Sequence, residues 1–153
     1  MQRDRVEGYI AKGKAEGARL TVGGGRADGL DHGWFMQPTV FADMDNKHTI
    51  AQEEIFGPVL SVIPYADEDQ AVALANDSDF DFGLGGSVWT RDGERGEALA
   101  RRVVSGTIGI NGYVNDPTAP FGGVKTSGIG RELGPEGLHG YQVLKTIYLD
   151  ASS

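Results

Sequence analysis

The feature of this sequence that most restricts its fold is an alternation of β-prone and helical segments between residues 59 and 111. Two helical patterns separate three β-prone stretches, at residues 59–65, 86–90 and 107–111. The connections are short, as they are where each strand of a parallel sheet is followed by a crossover helix. This order predicts an α/β fold in which helices flank a parallel sheet.

Both helical patterns begin with an acidic residue that can cap a helix. Asp67 is followed three residues later by Gln70, which is the spacing of a capping box, and Asp92 begins the second pattern. Apolar residues then recur at helical spacing on one face. They are Ala71, Leu74 and Ala75 in the first helix, and Leu99, Ala100, Val103 and Val104 in the second, where they form the predicted buried stripe.

The two ends of the chain carry further elements. Helical spacing of apolar residues predicts a helix over residues 2–16, and Gly17 stands where a left-handed C-terminal cap is expected. A β-prone stretch follows at residues 19–23, and residues 142–150 form a β-prone tail.

Composition excludes several classes of partner. The 153 residues include 14 basic and 22 acidic side chains, and the net charge of −8 repels nucleic acids and anionic lipid surfaces. No apolar run reaches the roughly 18–20 residues of a membrane span, and the N-terminus is too polar for a secretory signal. We therefore expect no nucleic-acid or membrane partner and a cytoplasmic location.

Cysteine and histidine usage restricts the possible chemistry. There is no cysteine, so the chain has no thiol nucleophile and no thiolate metal ligand. The three histidines, His32, His48 and His139, are far apart and none lies in an HExxH pattern. The sequence therefore predicts no metal site.

Residues 120–134 read PFGGVKTSGIGRELG and have three alternative interpretations: a phosphate-binding loop, a lid hinge or part of a divided active site. A P-loop is disfavoured because it requires glycine before the lysine, and here Val124 precedes Lys125. The glycines also do not fit a dinucleotide GxGxxG pattern. From the residues alone, close packing of backbone in a loop is the favoured explanation.

The Glu53-Glu54 pair also has two interpretations. It either binds ribose hydroxyls or merely solvates the adjacent Gly-Pro turn.

Four motifs together resemble one family. They are EEIFGPVLSV at 53–62, NDS with the later GLGGSVWT within 76–90, SGTIGIN at 105–111, and PFGGVKTSGIGRELG at 120–134. Their order and spacing resemble the C-terminal third of an NAD(P)-dependent aldehyde dehydrogenase, across essentially the whole chain. The resemblance implies a partial catalytic domain over residues 1–141 and an oligomerisation tail strand over residues 142–153 that pairs across a subunit interface.

The resemblance also assigns site residues. Glu54 matches the family glutamate that binds the nicotinamide ribose, and Phe56 matches the aromatic residue that packs beside it. Phe121 matches the phenylalanine near the substrate channel, and residues 111–120 match the loop that shapes aldehyde specificity. No catalytic residue and no metal ligand is assigned to this chain.

Two departures from the family pattern carry consequences. Family catalysis requires a cysteine thiolate that attacks the aldehyde, hydride transfer to NAD or NADP, and a glutamate that assists hydrolysis. If the chain is the C-terminal third, those residues and the Rossmann domain precede it, so the isolated chain is expected to be inactive and not to hold the cofactor alone. In addition, residues 79–82 contain two Asp-Phe pairs where the family pattern has one.

These expectations leave alternatives open. The chain is expected to self-associate or to require a missing N-terminal partner chain, and to act on a small aldehyde only when completed. It is alternatively a non-catalytic piece of a split enzyme, or a degenerate remnant.

Overall fold

The protein is described by a computed structural model that covers residues 1–30, 32–78 and 80–151. It divides into two compact units, Met1–Asp81 and Phe82–Ser153. The α/β class is confirmed. Asp79, within the doubled Asp-Phe segment, lies outside the described residues, and the predicted boundary after residue 141 stays a prediction. Within the described residues, no helix combines the length and the apolar character needed to cross a bilayer.

The first unit packs helices against a three-stranded sheet. Its elements are α1 (Gln2–Ala15), β1 (Arg19–Val22), β2 (Thr39–Ala42), α2 (Thr49–Gln52), β3 (Val59–Ser61) and α3 (Glu68–Asn76). The strand order is β1-β2-β3. Strand β1 is antiparallel to β2, and β2 is parallel to β3. The prediction of a parallel sheet is therefore correct only in part: this sheet is mixed, because the glycine-rich segment between β1 and β2 returns the chain without a crossover helix.

The core of this unit forms where α1 and α2 meet β2. Phe41 on β2 is fully buried, and Val6 and Ile10 on α1 pack into the same cluster. Gly13 continues that helical stripe, and a Cβ there would lie 2.5 Å from Ile50 Cδ1. The absence of a side chain at Gly13 therefore allows α1 to approach α2 closely. The helix predicted over residues 2–16 is confirmed, with Gly17 at φ +86°.

Helix α3 confirms the Asp67 cap, while the reciprocal bond of Gln70 goes to the amide of the residue before the cap. The Asp67 carboxylate accepts a hydrogen bond from the Gln70 amide at 2.8 Å, and Gln70 Oε1 accepts one from the Ala66 amide at 2.6 Å. Two donors at the helix start are thus satisfied, which is typically worth about 0.5–2 kcal/mol for the cap residue.

The second unit contains the predicted strand–helix–strand segment. Its elements are β4 (Gly85–Val88), α4 (Gly93–Ala100), β5 (Thr107–Ile110), a 3-10 turn (Lys125–Ser127) and α5 (Gly134–His139). Strands β4 and β5 are parallel and in register from Gly85 with Thr107 to Val88 with Ile110. Asp92 caps α4 by accepting a hydrogen bond from the Arg95 amide at 3.0 Å. Parallel pairing through a crossover helix is therefore confirmed for this pair of strands.

The buried stripe predicted for α4 is only partly correct. Ala100 is buried, whereas Val103 and Val104 lie beyond the end of the helix and Val104 is 47% exposed. Because α4 ends at Ala100, these valines do not continue its buried face.

The C-terminal tail forms no strand within this chain. Residues 142–150 have no regular structure, and most of their apolar side chains stand almost fully in solvent. The exposed residues are Val143, Leu144, Ile147, Tyr148 and Leu149. The predicted pairing of this tail across a subunit interface stays a prediction, because a β-prone segment becomes a strand only when another strand satisfies its amides and carbonyls.

Candidate functional site

The first candidate site is the loop that joins α2 to β3, over residues 53–57. Its side chains alternate in direction: Ile55 is buried in the core, whereas Glu54 is exposed and Phe56 is 71% exposed. Phe56 has φ +57°, a left-handed conformation that a non-glycine residue adopts at a cost of about 1–2 kcal/mol. The loop therefore presents a carboxylate and an aromatic ring to solvent from a conformation that its surroundings must maintain.

One face of α1 provides those surroundings. Gln2 Nε2 donates to the carbonyl oxygens of Phe56 at 2.7 Å and Ile55 at 3.3 Å. Arg5 Nη2 donates to the Glu54 carbonyl oxygen at 2.5 Å. The backbone of residues 54–56 is thus attached to the first turns of α1 by side-chain donors.

Tyr9 and Val6 complete the attachment. The Tyr9 hydroxyl donates to Glu53 Oε2 at 2.7 Å, and this bond raises the pKa of the Tyr9 phenol because an ionised oxygen would lose the donor and repel the carboxylate. A Cβ at Gly57 would lie 2.4 Å from Val6 Cγ2, so the loop lies directly against α1. Glu53 is therefore a structural anchor.

Glu54, by contrast, keeps its carboxylate available. Within the described part of the chain this carboxylate makes no hydrogen bond and no ion pair, although its carbonyl is held. A carboxylate accepts two or more hydrogen bonds, and vicinal ribose hydroxyls are matching donors. An exposed aromatic ring two residues away offers a flat apolar surface for a planar heterocycle. The two residues thus fit a nicotinamide riboside.

The second candidate site lies in the second unit, beside β4 and β5. Cavities of about 180 Å³ and 430 Å³ share three wall residues, Tyr113, Asn115 and Phe121. The hydroxyls of Tyr113 and Thr107 are 2.5 Å apart, which ties the loop after β5 to the sheet. Phe121 is half-buried and forms an antiparallel bridge with Glu132, with N–O distances of 2.7 and 2.8 Å. The loop after β5 and Phe121 thus line concave space.

The glycine-rich loop at residues 120–134 packs closely against neighbouring backbone. A Cβ at Gly106 would lie 1.7 Å from the Gly122 carbonyl oxygen, and one at Gly122 would lie 2.3 Å from the Gly130 carbonyl oxygen. Arg131 Nη1 donates to the carbonyls of Gly123 at 2.7 Å and Gly130 at 2.8 Å. The backbone of the 120–134 loop is therefore packed against neighbouring backbone and the Arg131 guanidinium. This supports the interpretation of the glycines as close packing.

The structure brings Glu54 and Phe56 together on one loop, while Phe121 belongs to the cavities of the second unit. Sequence reasoning missed Gln2, Arg5, Tyr9 and Tyr113. The i, i+3, i+7 spacing of the first three on a predicted helix was the available signal, but it does not indicate which loop that face contacts.

Comparisons with known proteins agree on one family. The model of the aldehyde dehydrogenase family matches residues 1–147. A geranial dehydrogenase from Castellaniella defragrans is 60% identical over 147 residues, which cover 96% of this chain and 30% of the relative. A betaine aldehyde dehydrogenase from Brucella ovis is 51% identical, with 97% of this chain and 31% of the relative covered. The chain thus spans about a third of the length of these curated relatives.

Solved structures agree as well. An aldehyde dehydrogenase from Mycobacterium tuberculosis complexed with NAD⁺ is 64% identical with a TM-score of 0.88, over 92% of this chain and 29% of that chain. An NAD⁺ complex of an aldehyde dehydrogenase from Bacillus cereus is 43% identical with a TM-score of 0.91, over 98% of this chain and 30% of that chain.

One expectation is contradicted by these comparisons. The sequence motifs predict the C-terminal third of the family, but this chain aligns with the N-terminal third of the relatives, over 30% of their length. By this finding the predicted C-terminal placement is wrong. The expectation that the nucleophile and the cofactor domain precede this chain is therefore no longer supported.

Proposed function

Because the chain belongs to the aldehyde dehydrogenase family, we propose that it forms part of an enzyme that oxidises an aldehyde to a carboxylic acid with NAD or NADP. The observation that carries the proposal is the 53–57 loop, which holds Glu54 and Phe56 exposed beside each other while its backbone is bonded to α1. The NAD⁺ complexes of similar structures support NAD as the dinucleotide.

In this proposal Glu54 accepts hydrogen bonds from the nicotinamide ribose, and the Phe56 ring packs beside the heterocycle. The bound dinucleotide supplies the hydride acceptor. The cavities lined by Tyr113, Asn115 and Phe121 receive the organic part of the aldehyde. Asp116 also lines the smaller cavity, and hydrogen bonds from the Thr118 amide and hydroxyl lower the pKa of its carboxyl.

We expect the isolated chain to contribute binding surface but not the nucleophile that the reaction requires. It contains no cysteine, so it offers no thiolate to attack an aldehyde carbonyl. It spans 30% of the curated relatives, and its two cofactor contacts are exposed, so we expect only weak dinucleotide binding. We also propose that the protein is located in the cytoplasm.

The cofactor proposal is tested by titrating the labelled chain with NAD and recording amide NMR spectra. Shift changes that stay far from saturation are expected at residues 53–57, and calorimetry at millimolar NAD is expected to show no saturable heat, because the dissociation constant is on the order of ten millimolar or weaker. Glu54→Ala removes charge-assisted hydrogen bonds and is expected to weaken the effect about tenfold or more. Glu94→Ala, an exposed glutamate on α4, is the matched control. Unchanged NAD shifts in Glu54→Ala would contradict the role of Glu54.

A second candidate role, as an assembly piece of a larger or split enzyme, is favoured by the tail. Leu144 and Tyr148 are 91% and 92% exposed, and Leu60 on the edge strand β3 is 59% exposed. Apolar, unpaired segments of this kind favour pairing with another chain. The partner is a second copy of this chain or a chain that supplies further segments of the family fold.

Self-association through the tail is the corresponding prediction. Light scattering coupled to size exclusion is expected to report an oligomer or aggregate, and Ile147→Lys is expected to shift it toward smaller species because a charge interrupts the apolar run. Ala151→Lys adds the same charge just outside that run and is expected to leave the distribution unchanged. A uniform monomer of the wild-type chain, about 16 kDa by its composition, would rule the proposal out.

A further inference from the structure

We propose that Gln2, Arg5 and Tyr9 are positioning residues that set the conformation in which Glu54 and Phe56 meet the dinucleotide; this inference rests on the cofactor role proposed above. The three residues touch neither the Glu54 carboxylate nor the Phe56 ring. They bond instead to backbone carbonyls of the loop and to the Glu53 carboxylate. That backbone carries the Glu54 and Phe56 side chains.

The residues that hold the 53–57 loop share one face of α1. Gln2, Arg5, Val6 and Tyr9 have the i, i+3, i+4, i+7 spacing of one helical face. Each of them contacts the 53–57 loop: Gln2 and Arg5 through carbonyl oxygens, Tyr9 through the Glu53 carboxylate, and Val6 through Gly57. Every residue of the loop is therefore in contact with a single rigid element.

The loop itself has an unusual backbone conformation at Phe56. Phe56 has φ +57°, in the left-handed region, while Ile55 beside it is buried in the core. Such a conformation persists only where surrounding contacts over-determine it. The two bonds from Gln2 to the Ile55 and Phe56 carbonyls, at 3.3 and 2.7 Å, act directly at this point.

Most of the side chains that hold the loop lie outside the buried core of α1. The buried core of α1 is Val6, Ile10 and Gly13, whereas Gln2 and Arg5 are exposed and Tyr9 is half-buried. Loss of an exposed donor leaves that core intact. A change at Gln2 therefore alters the loop without removing buried apolar contacts.

The chain offers a matched control on the same helical turn. Arg3 also donates to a backbone carbonyl, that of Gly33 at 3.1 Å, and its guanidinium lies 4.8 Å from the Trp34 ring centroid. It makes the same kind of contact with a different segment. Arg3→Ala therefore reports what loss of a half-buried α1 donor to a different segment does in general.

The experiment compares Gln2→Ala, Tyr9→Phe and Arg3→Ala with the wild-type chain by amide NMR and hydrogen exchange, first without ligand and then with NAD. Gln2→Ala and Tyr9→Phe are expected to shift the amides of residues 54–57, to speed their exchange, and to weaken the NAD-induced shifts about fivefold. Arg3→Ala is expected to leave residues 54–57 and the NAD response unchanged. Arg5→Lys, which retains a donor, is expected to keep more of the wild-type response than Arg5→Ala.

Equal disturbance of residues 54–57 by Arg3→Ala, or no disturbance by Gln2→Ala and Tyr9→Phe, would overturn the inference. Tyr9→Phe keeps the ring and removes only the hydroxyl, so it remains informative if Gln2→Ala fails to fold. If the wild-type chain shows no NAD shifts, the proposed cofactor role fails, while the ligand-free amide shifts still decide whether α1 positions the loop.

Discussion

Purified chain is expected to reduce neither NAD nor NADP when it is supplied with short-chain or aromatic aldehydes. The reason is that these 153 residues contain no thiolate to form the covalent adduct from which hydride transfer proceeds. Removal of the nucleophile in a well-studied hydrolase lowers kcat by roughly a million-fold, which places any residual rate below detection. The absorbance of the reduced cofactor is the measurement, with a full-length aldehyde dehydrogenase assayed in parallel as positive control.

Turnover that scales with chain concentration and survives repurification would contradict this prediction. Activity that arises only after a second polypeptide is added would instead support the role of an assembly piece. The two outcomes are separated by assaying the chain alone and with a candidate partner in the same preparation.

Gly106→Ala is expected to destabilise the second unit by about 3 kcal/mol or more, at the upper end of the cost of overpacking. The added methyl would lie 1.7 Å from the Gly122 carbonyl oxygen, 2.7 Å from its carbon and 3.0 Å from Gly123 Cα. All three are backbone atoms, so no side-chain rotation relieves the clash. The 120–134 loop would have to separate from the segment that enters β5.

Gly86→Ala is the matched control, because a Cβ there meets nothing within 4 Å. It lies on β4, the strand that pairs with β5. Urea denaturation followed by Trp89 fluorescence, in a Trp34→Phe background, reports the second unit. A midpoint for Gly106→Ala equal to that of Gly86→Ala would show that the loop is not packed there.

Local elements were predictable because their causes lie within a few residues. Asp67 and Asp92 cap the helices that follow them, and Gly17 has a positive φ just after α1. The β4–α4–β5 segment followed from strand–helix–strand order, since a parallel neighbour requires a crossover. These features are decided by capping groups, helical periodicity and backbone freedom, all of which are visible in the order of residues.

The sheet of the first unit and the tail were less predictable. Whether β1 runs parallel or antiparallel to β2 depends on where the connecting chain returns, and residues 142–150 form a strand only if another strand pairs with them. Both outcomes depend on neighbours distant in sequence or on another chain. Residue order gives no direct signal for them.

The candidate site divides in the same way. The residue types at Glu54, Phe56 and Phe121 follow from the sequence, and so does the absence of a thiol nucleophile. Only the tertiary structure decided that α1 holds the 53–57 loop through Gln2, Arg5 and Tyr9, across separations of 44 to 54 residues. Contacts over such separations form when α1 packs its apolar stripe against the core. That packing brings the polar residues beside the stripe into contact with the loop.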